Sequence, residues 1–301
     1  MDLSRFGAAP PWSLGVEEEL MLVDAETLEP ARDGFSRAFG EATERIKPEL
    51  FESFVEITTS VLETPEEVEA ELRSLREEVA ERAGEHGLAL LATGSHPTAR
   101  GHVPIVPVER YQRLKQELGS RLLRQRVCGL HVHVSVPDPD TCLRAFEGVV
   151  PRLPGLLAQS ANSPFWDGAD SGWRSIRSQI LLEMPTGGTP PVLRSWDDWQ
   201  VASRDDSTRR HWDAWPRPEY GTLEVRVMDQ PTSVTRSAEI AAEVQRLVRE
   251  AAESGGEPFD RDEYAVQREL AGREGGGPEA ERQLELGPKG AVREIAMRTL
   301  G

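Results

Sequence analysis

Four segments of the chain alternate apolar residues with charged or imidazole residues, and this pattern limits the fold more than any other feature. In GLHVHVSV, residues 129–136, His131, His133 and Ser135 occupy every second position between leucine and valine. A β-strand has a side-chain period of two, so the two imidazoles share one face and the aliphatic side chains share the other. The same alternation occurs in GVEEEL, ELFESFVEIT and GTLEVRVMD. Each segment is therefore predicted to be a strand with one polar face.

Strands of this kind indicate an antiparallel sheet, because the strands of a buried parallel sheet are apolar on both faces. A capping box of Thr64, Pro65 and Glu67 predicts the start of a helix that ends near Gly84. A second long helix is predicted for SVTRSAEIAAEVQRLVREAAE. We therefore predict an α+β fold, a largely antiparallel sheet with helices on one face. Residues 1–253 would form a single domain, and residues 254–301 a glycine-rich, partly helical and loosely packed C-terminal tail.

The charge balance and the cysteine content exclude several classes of protein. The chain has 35 basic and 52 acidic residues, a formal net charge of −17, which argues against nucleic acid as a partner. No apolar run approaches the roughly 20 residues that cross a bilayer, and the N-terminus does not resemble a secretion signal. The two cysteines make neither a disulfide framework nor a zinc knuckle. We expect a cytoplasmic, soluble protein that acts on small molecules.

The polar faces of the four strands consist mainly of carboxylates and imidazoles. A solvated sheet face is the ordinary explanation for any one strand, but lysine is absent from these positions. Two like charges about 4 Å apart repel by roughly 4 kcal/mol at an intermediate dielectric, so a cation must compensate. Oxygen ligands with a minority of histidine suit Mg²⁺ or Mn²⁺ better than Zn²⁺. The candidate metal ligands are Glu17, Glu19, Glu52, Glu56, His131, His133 and Glu224.

Arg226 lies two residues after Glu224 and falls on the same predicted strand face. A guanidinium there suits a transferring phosphoryl group, whose developing charge it stabilises. A metal-binding face beside an arginine is what ATP-driven chemistry on a carboxylate requires. Glu224 and Arg226 are accordingly the candidate catalytic residues.

Six motifs occur in the chain in a fixed order: GVEEEL, ELFESFVEITTSVLETPEE, GSHP, GLHVHV, SANSPFW and HWDAWPRPEYGTLEVRVMD. Through these motifs, from about residue 12 to 250, the chain resembles the type 2 glutamate–cysteine ligase family of carboxylate–amine ligases. These enzymes are relatives of the catalytic fold of glutamine synthetase and the guanido kinases. The resemblance implies a curved sheet, ATP and Mg²⁺ as cofactors, with Mn²⁺ as an alternative, and a homodimer.

The resemblance also implies a reaction. A carboxylate, nominally the γ-carboxylate of glutamate, attacks the γ-phosphate of ATP, and an amine, nominally that of cysteine, attacks the resulting acyl phosphate. By similarity, the predicted glutamates and His133 would hold magnesium, and Arg226 would face the phosphoryl group. His131 is either a further ligand or a residue that orients its neighbours.

Three more residues are candidates for contact with substrate. Arg174 and Arg177, in SGWRSIRS, either anchor a substrate carboxylate through paired hydrogen bonds or lie on the surface. Asn162, in SANSP, either contacts substrate or caps a helix.

The chain departs from the family at three places. Trp215 stands where the family usually has an arginine, and both the segment between Trp199 and His211 and the C-terminus are shorter than usual. These departures leave two alternatives open. One is a degenerate relative that binds a nucleotide or an amino acid without turnover, and the other is a phosphotransferase acting on a guanidino group.

Overall fold

The computed structural model describes residues 1–204, 211–255 and 259–301. Its strands are β1 (Leu14–Asp24), β2 (Ile46–Pro48), β3 (Phe54–Thr58), β4 (Leu88–Leu91), β5 (Leu130–Ser135), β6 (Phe165–Trp166), β7 (Ala169–Asp170), β8 (Ala214–Arg217) and β9 (Thr222–Val225). Its helices are α1 (Gly34–Ala38), α2 (Pro65–Gly84), α3 (Glu109–Leu118), α4 (Ser120–Leu123), α5 (Pro139–Val149), α6 (Leu153–Ser160), α7 (Ile176–Ile180), α8 (Trp196–Ala202), α9 (Val234–Ser254), α10 (Arg261–Glu274) and α11 (Pro278–Arg298). Short 3₁₀ turns follow α5 and α7, at Val150–Arg152 and Leu181–Glu183.

The main sheet has seven strands in the order β2-β3-β1-β5-β9-β8, and β4 also pairs with β1. All of its strand pairs are antiparallel. β4 and β5 pair with different parts of the long strand β1, at residues 21–24 and 14–18 respectively. The predicted α+β fold with an antiparallel sheet is confirmed. The pairing places β1 and β5, the two strands with the clearest alternation, in the middle of the sheet.

One face of the sheet is apolar and packs against helices α2, α5 and α9. Leu14, Val16, Leu20 and Leu22 of β1 are completely buried there, in the same cluster as the apolar stripes of the three helices. Burial of this apolar surface is the main driving force for folding. Helix α2 begins at the predicted capping box: the Thr64 side chain accepts a hydrogen bond from the backbone N–H of the third helical residue.

Glu18 is a fully buried acidic residue on the apolar face of β1, and a buried arginine pairs with it. Arg76 of α2 donates two hydrogen bonds to its carboxylate, from Nε and Nη2, each 2.7 Å long, and both side chains are fully buried. Gln230 and Ser237 donate to the same carboxylate. A charge in such a position is tolerated only when it is paired and hydrogen-bonded, as it is here.

The C-terminal segment is helical and packed, so the expectation of a loose tail is wrong for its described residues. Arg268 of α10 is 2% exposed and donates to Asp213, just before β8. The Thr299 carbonyl, after α11, accepts a hydrogen bond from Arg76. The glycines that suggested flexibility allow close packing instead, because a Cβ on Gly277 would lie 2.6 Å from the Ala161 carbonyl oxygen. Residues 256–258 of this segment lie outside the described ranges.

A second apolar cluster lies on the opposite face of the sheet, beyond the polar positions. It joins Met21 and Val23 of β1 and Phe54 of β3 to residues of α3, α4 and α11. The helices are therefore not confined to one layer, and α3 and α4 stand over part of the polar face. Within the described ranges, none of the helices combines the length and the apolar character that crossing a membrane would require.

The histidine of the GSHP motif has a structural role, which makes stability depend on pH. His96 is buried; its Nε2 lies 2.8 Å from the Leu28 carbonyl oxygen, and its Nδ1 accepts from the N–H groups of Thr98 and Ala99. Burial lowers the pKa of His96 to about 4, whereas an unfolded histidine titrates near pH 6.5. Since the unfolded chain then binds the extra proton, stability is full above pH 6.5 and falls as the pH drops toward 4. The total loss is roughly 3 kcal/mol.

Urea unfolding between pH 4.5 and 7 measures this contribution. His96→Gln should flatten the pH dependence relative to the wild type, while His86→Gln, at an exposed position, should leave it unchanged. Equal slopes for the wild type and His96→Gln would contradict the assignment.

Candidate functional site

The strand register brings the predicted polar residues into one row across the sheet. Residues directly opposite in an antiparallel pair lie on the same face. From β3 to β8 the row is built from four such pairs: Glu56 with Glu19, Glu17 with His131, His133 with Glu224, and Glu224 with Trp215. Five strands thus contribute to a single polar surface.

A cavity of about 590 Å³ opens on this row. Seven of the predicted site residues line it: Glu17, Glu19, Glu56, His131, Arg177, Glu224 and Arg226. His133 lies beside them in the row, although it is not part of the lining. Further lining residues come from α3, α4 and the 3₁₀ turn after α7, namely Tyr111, Leu114, Leu122 and Leu181. The cavity therefore has an ionic wall, formed by the sheet, and a largely apolar wall.

The two imidazoles of β5 direct buried nitrogen atoms toward the carboxylates of β1. Nδ1 of His131 lies 3.2 Å from Glu17, and Nδ1 of His133 lies 2.9 Å from the Thr222 hydroxyl. Their Nε2 atoms lie 3.8 Å from Glu19 and Glu17 respectively, too far for a hydrogen bond. Both Nε2 atoms are buried without a hydrogen-bond partner among the described residues. Buried polar atoms of this kind indicate that a ligand completes the site.

The carboxylates of the row are held in contrasting electrostatic environments. Burial raises the pKa of Glu17, but the hydrogen bond to His131 and the charge of His133 outweigh it and bring the pKa to about 2. Burial and the nearby carboxylates of Glu17 and Glu49 raise the pKa of Glu56 well above its ordinary value. Negative charge is therefore crowded at the β3 side of the row, and a cation placed there would relieve the repulsion.

Glu224 lies between two arginines. Nη1 of Arg217 is 2.5 Å from one carboxylate oxygen and Nη1 of Arg226 is 3.1 Å from the other. Burial raises the pKa of Glu224, but the charges of Arg226 and Arg217 outweigh it, and the pKa lies below its ordinary value. The β9 end of the row is thus rich in positive charge, unlike the β3 end.

Arg177 also lines the cavity and is held by backbone carbonyl groups. It is 2% exposed and donates to the carbonyls of Val227 and Arg226, at 3.2 and 3.1 Å. Its Nε is buried with no hydrogen-bond partner in the described part of the chain. The GLHVHV motif needs its glycine for this reason, because a Cβ on Gly129 would lie 2.1 Å from Nη2 of Arg177.

Three predicted residues do not reach the cavity: Glu52, Arg174 and Asn162. β3 begins only at Phe54, and the Glu52 carboxylate accepts hydrogen bonds from the backbone N–H and the hydroxyl of Ser36. The strand period does not extend back to Glu52, so it does not share a face with Glu56. Arg174 is about one-third exposed and donates to Glu281 of α11 at 2.6 Å.

Asn162 is fully buried away from the cavity lining, and it does not cap a helix. Its Nδ2 donates to the Gln230 carbonyl and the Thr232 hydroxyl, and its Oδ1 accepts from Gln283 of α11. The N-cap of the next helix, α7, is Ser175. Asn162 therefore joins the segment after α6 to the segment after β9 and to α11.

Five ionic residues line the cavity that the sequence motifs did not single out: Lys47, Glu49, Arg110, His211 and Arg217. Glu49 precedes β3 and accepts a hydrogen bond from the Tyr111 hydroxyl of α3 at 2.8 Å. Arg217 lies two residues after Trp215 on β8, so a strand period of two would have placed it on the cavity face. Trp215 itself is 1% exposed and packs against Trp199 and Trp212, with ring centroids 5.7 and 4.5 Å apart.

A comparison with models of known protein families identifies the family of this chain. The model of glutamate–cysteine ligase family 2 matches residues 13–275. The chain belongs to this family. A relative from Roseiflexus castenholzii, provisionally named glutamate–cysteine ligase 2, is 36% identical over 79% of this chain and 66% of its own length. A relative from Rubrobacter xylanophilus, provisionally named glutamate–cysteine ligase 2-3, is 35% identical over 83% of this chain and 72% of its own. The chain spans about two thirds of the length of these family members.

Two solved structures share the fold. A bifunctional glutathione synthetase from Pasteurella multocida matches with a TM-score of 0.62 and 18% identity, over 96% of this chain and 46% of its own. A glutamate–cysteine ligase from Francisella tularensis, in complex with AMP, matches with a TM-score of 0.60 and 13% identity, over 99% of this chain and 80% of its own. The predicted fold is therefore confirmed.

The side chains of the row suit a divalent cation that is bound together with a ligand. The described residues contain no group of three or more histidine, cysteine, aspartate or glutamate side chains that is already arranged to hold a metal ion. Mg²⁺ usually binds through one or two carboxylates plus substrate phosphates and keeps several waters, so a complete protein cage is not expected. The crowded carboxylates near Glu56 and the unbonded Nε2 atoms of His131 and His133 fit this mode of binding.

Proposed function

We propose that this protein is an ATP-dependent carboxylate–amine ligase that forms an amide through an acyl phosphate, with glutamate and cysteine as the nominal substrates. The proposal rests mainly on the polar row: carboxylates from separate strands and the His131 imidazole face one cavity that Arg177 and Arg226 also line. The names of the family members and the AMP complex of the Francisella tularensis ligase point in the same direction.

The reaction proceeds in two transfers. A carboxylate oxygen attacks the γ-phosphorus of ATP and ADP leaves; the amine nitrogen then attacks the acyl carbon and phosphate leaves. Bound Mg²⁺ would neutralise phosphate charge, and the residues that would hold it are Glu17, Glu19, Glu49, Glu56, His131 and His133. The predicted ligand Glu224 is left out of this set, because Arg217 and Arg226 occupy its two carboxylate oxygens.

The arginines perform the remaining tasks. Arg226 stabilises negative charge that develops on the transferring phosphoryl group, because its guanidinium lies at the cavity end of β9. Arg177, fixed by two carbonyl groups, offers the planar guanidinium that a substrate carboxylate requires. The apolar wall from α3 and α4 excludes water, which would otherwise hydrolyse an acyl phosphate.

A screen of amino-acid pairs for ADP release tests the proposal. We expect release that requires both Mg²⁺ and a carboxylate substrate, and hydroxylamine should trap the acyl phosphate as a hydroxamate. Tight nucleotide binding without ADP release, for every acid and amine tried, would contradict a ligase.

A second candidate is a nucleotide- or amino-acid-binding protein without turnover. Two observations favour it: Trp215 occupies the row as a buried packing residue, and the Glu224 carboxylate is already held by two guanidiniums. The same screen separates the candidates, because this one predicts binding in calorimetry and no hydroxamate. ADP release with a guanidino compound, and no hydroxamate with any carboxylate, would instead indicate a phosphotransferase.

A further inference from the structure

One cavity arginine, Arg217, has no task in the proposed reaction. It ends β8, where it pairs with Thr222, so its side chain lies on the same face as Trp215 and Glu224. Its Nη1 donates to Glu224 at 2.5 Å and its Nε donates to Glu219 at 2.8 Å. The Tyr220 ring lies under the guanidinium, with its centroid 5.3 Å from Cζ. This combination of contacts fixes the plane of the guanidinium at the edge of the cavity.

We propose that Arg217 and Arg226 together bind an anionic group of a substrate, a phosphoryl group or a carboxylate, with Glu224 as the buried spacer between them. The proposal rests on the proposed function for the choice of ligands. It adds an anion-binding pair to the site, on the side of the row opposite to the crowded carboxylates.

The charges at this end of the row favour an anion. Two guanidiniums share the buried carboxylate of Glu224, so positive charge is in excess among these three side chains. The other carboxylate on Arg217, that of Glu219, is half exposed, and water screens its charge. Arg217 is also accessible, since its side chain is 26% exposed whereas that of Glu224 is 2% exposed. A ligand in the cavity can therefore reach the guanidinium without displacing the spacer.

Arg217 has hydrogen-bonding capacity left for such a ligand. A guanidinium has five N–H donors, and the contacts of Arg217 use Nε and Nη1. Its Nη2 donates no hydrogen bond within residues 1–204, 211–255 and 259–301. The planar fork of arginine is suited to carboxylate and phosphate oxygens.

Glu219 competes with the proposed ligand. It lies at the rim, 46% exposed, and its carboxylate holds Nε of Arg217. Removing this carboxylate should leave the fold intact and make Arg217 a better anion binder. A purely structural Arg217, present only to neutralise Glu224, would give no such effect.

Calorimetric titration with AMP-PNP and Mg²⁺, ADP and Mg²⁺, tripolyphosphate and glutamate tests the proposal, with variants Arg217→Gln, Arg217→Lys and Glu219→Gln. Arg217→Gln should weaken the binding of the ligand that carries the anion about tenfold or more, as expected for charge-assisted hydrogen bonds. Arg217→Lys should weaken the binding less. Glu219→Gln should strengthen the binding about twofold to threefold. Arg246→Gln, on the exposed surface of α9, is the matched control and should change nothing.

The ligands distinguish the two sources of the anion. If Arg217→Gln binds AMP-PNP, ADP and tripolyphosphate more weakly but glutamate as well as the wild type does, the anion is a phosphoryl group. If only glutamate binds more weakly, the anion is a carboxylate. Binding within twofold of wild type for every ligand in Arg217→Gln, at an unchanged melting temperature, would overturn the proposal. If Arg217→Gln fails to fold, the Glu219→Gln variant decides. Unchanged or weaker binding of every ligand by Glu219→Gln would overturn the proposal.

The wild-type protein separates the proposed anion-binding pair from the proposed function. Binding of tripolyphosphate but of neither nucleotide nor glutamate would contradict only the proposed function. Binding of none of the ligands would contradict the anion-binding pair and the proposed function together.

Discussion

Replacing Glu56 by glutamine is expected to lower kcat for Mg²⁺-dependent ATP turnover by at least about a thousandfold, which is roughly 4 kcal/mol of transition-state stabilisation. Glu56 lies directly opposite Glu19 in the sheet, and its carboxyl group is crowded by those of Glu17 and Glu49. Glutamine keeps the volume of the side chain but removes the charge that would hold a divalent cation. Because the change also relieves repulsion between like charges, the melting temperature should stay the same or rise.

Glu52→Gln is the matched control for this prediction. The residue is four positions away and is buried, whereas Glu56 is partly exposed. The sequence motif predicts the same metal-binding role for both. In the structure its carboxylate is hydrogen-bonded to Ser36 and does not line the cavity. We expect kcat within about threefold of wild type, which corresponds to less than 1 kcal/mol. Steady-state assays of ADP release measure both variants, and an equal loss of activity in both would contradict the assignment of the site to Glu56.

Replacing Arg76 by methionine is expected to destabilise the fold by about 3–5 kcal/mol, because it leaves the Glu18 carboxylate buried without its cation. Arg76 supplies two of the hydrogen bonds to Glu18 and also donates to the carbonyls of Pro231, Thr232 and Thr299. One side chain therefore joins α2 to the central strand, to the segment before α9 and to the end of α11. Urea unfolding followed by circular dichroism gives the free energy of unfolding.

Two further variants separate the ion pair from general effects of the substitution. Arg73→Met, on the same helix, removes a partly exposed pair with Glu69 and should cost no more than about 1 kcal/mol. Adding Glu18→Gln to Arg76→Met should recover at least about 1 kcal/mol of the free energy of unfolding, because the unpaired buried charge is gone. An equal loss of unfolding free energy in Arg76→Met and Arg73→Met would show that the buried ion pair does not stabilise the fold in this way.

The elements with strong periodicity were the predictable ones. β1, β5, α2 and α9 follow from alternation, capping and helical spacing, because these local signals agree with the burial of one face in the finished fold. The polar row follows from the same alternation, since residues two apart on paired strands must share a face. Six of the predicted site residues reach the cavity for this reason, and the seventh, Arg177, reaches it from helix α7.

The remaining features depend on tertiary contacts that no local pattern contains. Glu52 leaves the strand because its backbone pairs with other segments: its N–H donates to Pro104 and its carbonyl accepts from Phe35. β8 contains Pro216 and has no alternation; as an edge strand it tolerates the proline. Glu49 is placed by Tyr111, 62 residues further along the chain. The glycines of the C-terminal segment indicate flexibility when they are considered alone, but in the fold they allow helices to approach.

Electron paramagnetic resonance of Mn²⁺ bound in the presence of AMP-PNP tests most directly whether the polar row holds divalent cations together with a triphosphate. We expect the wild type and Glu52→Gln to bind Mn²⁺ with the same affinity, and Glu56→Gln to bind it at least about tenfold more weakly, a difference of 1.4 kcal/mol. Equal Mn²⁺ affinity in all three proteins, with AMP-PNP bound in each, would contradict the assignment of the metal site to this face of the sheet.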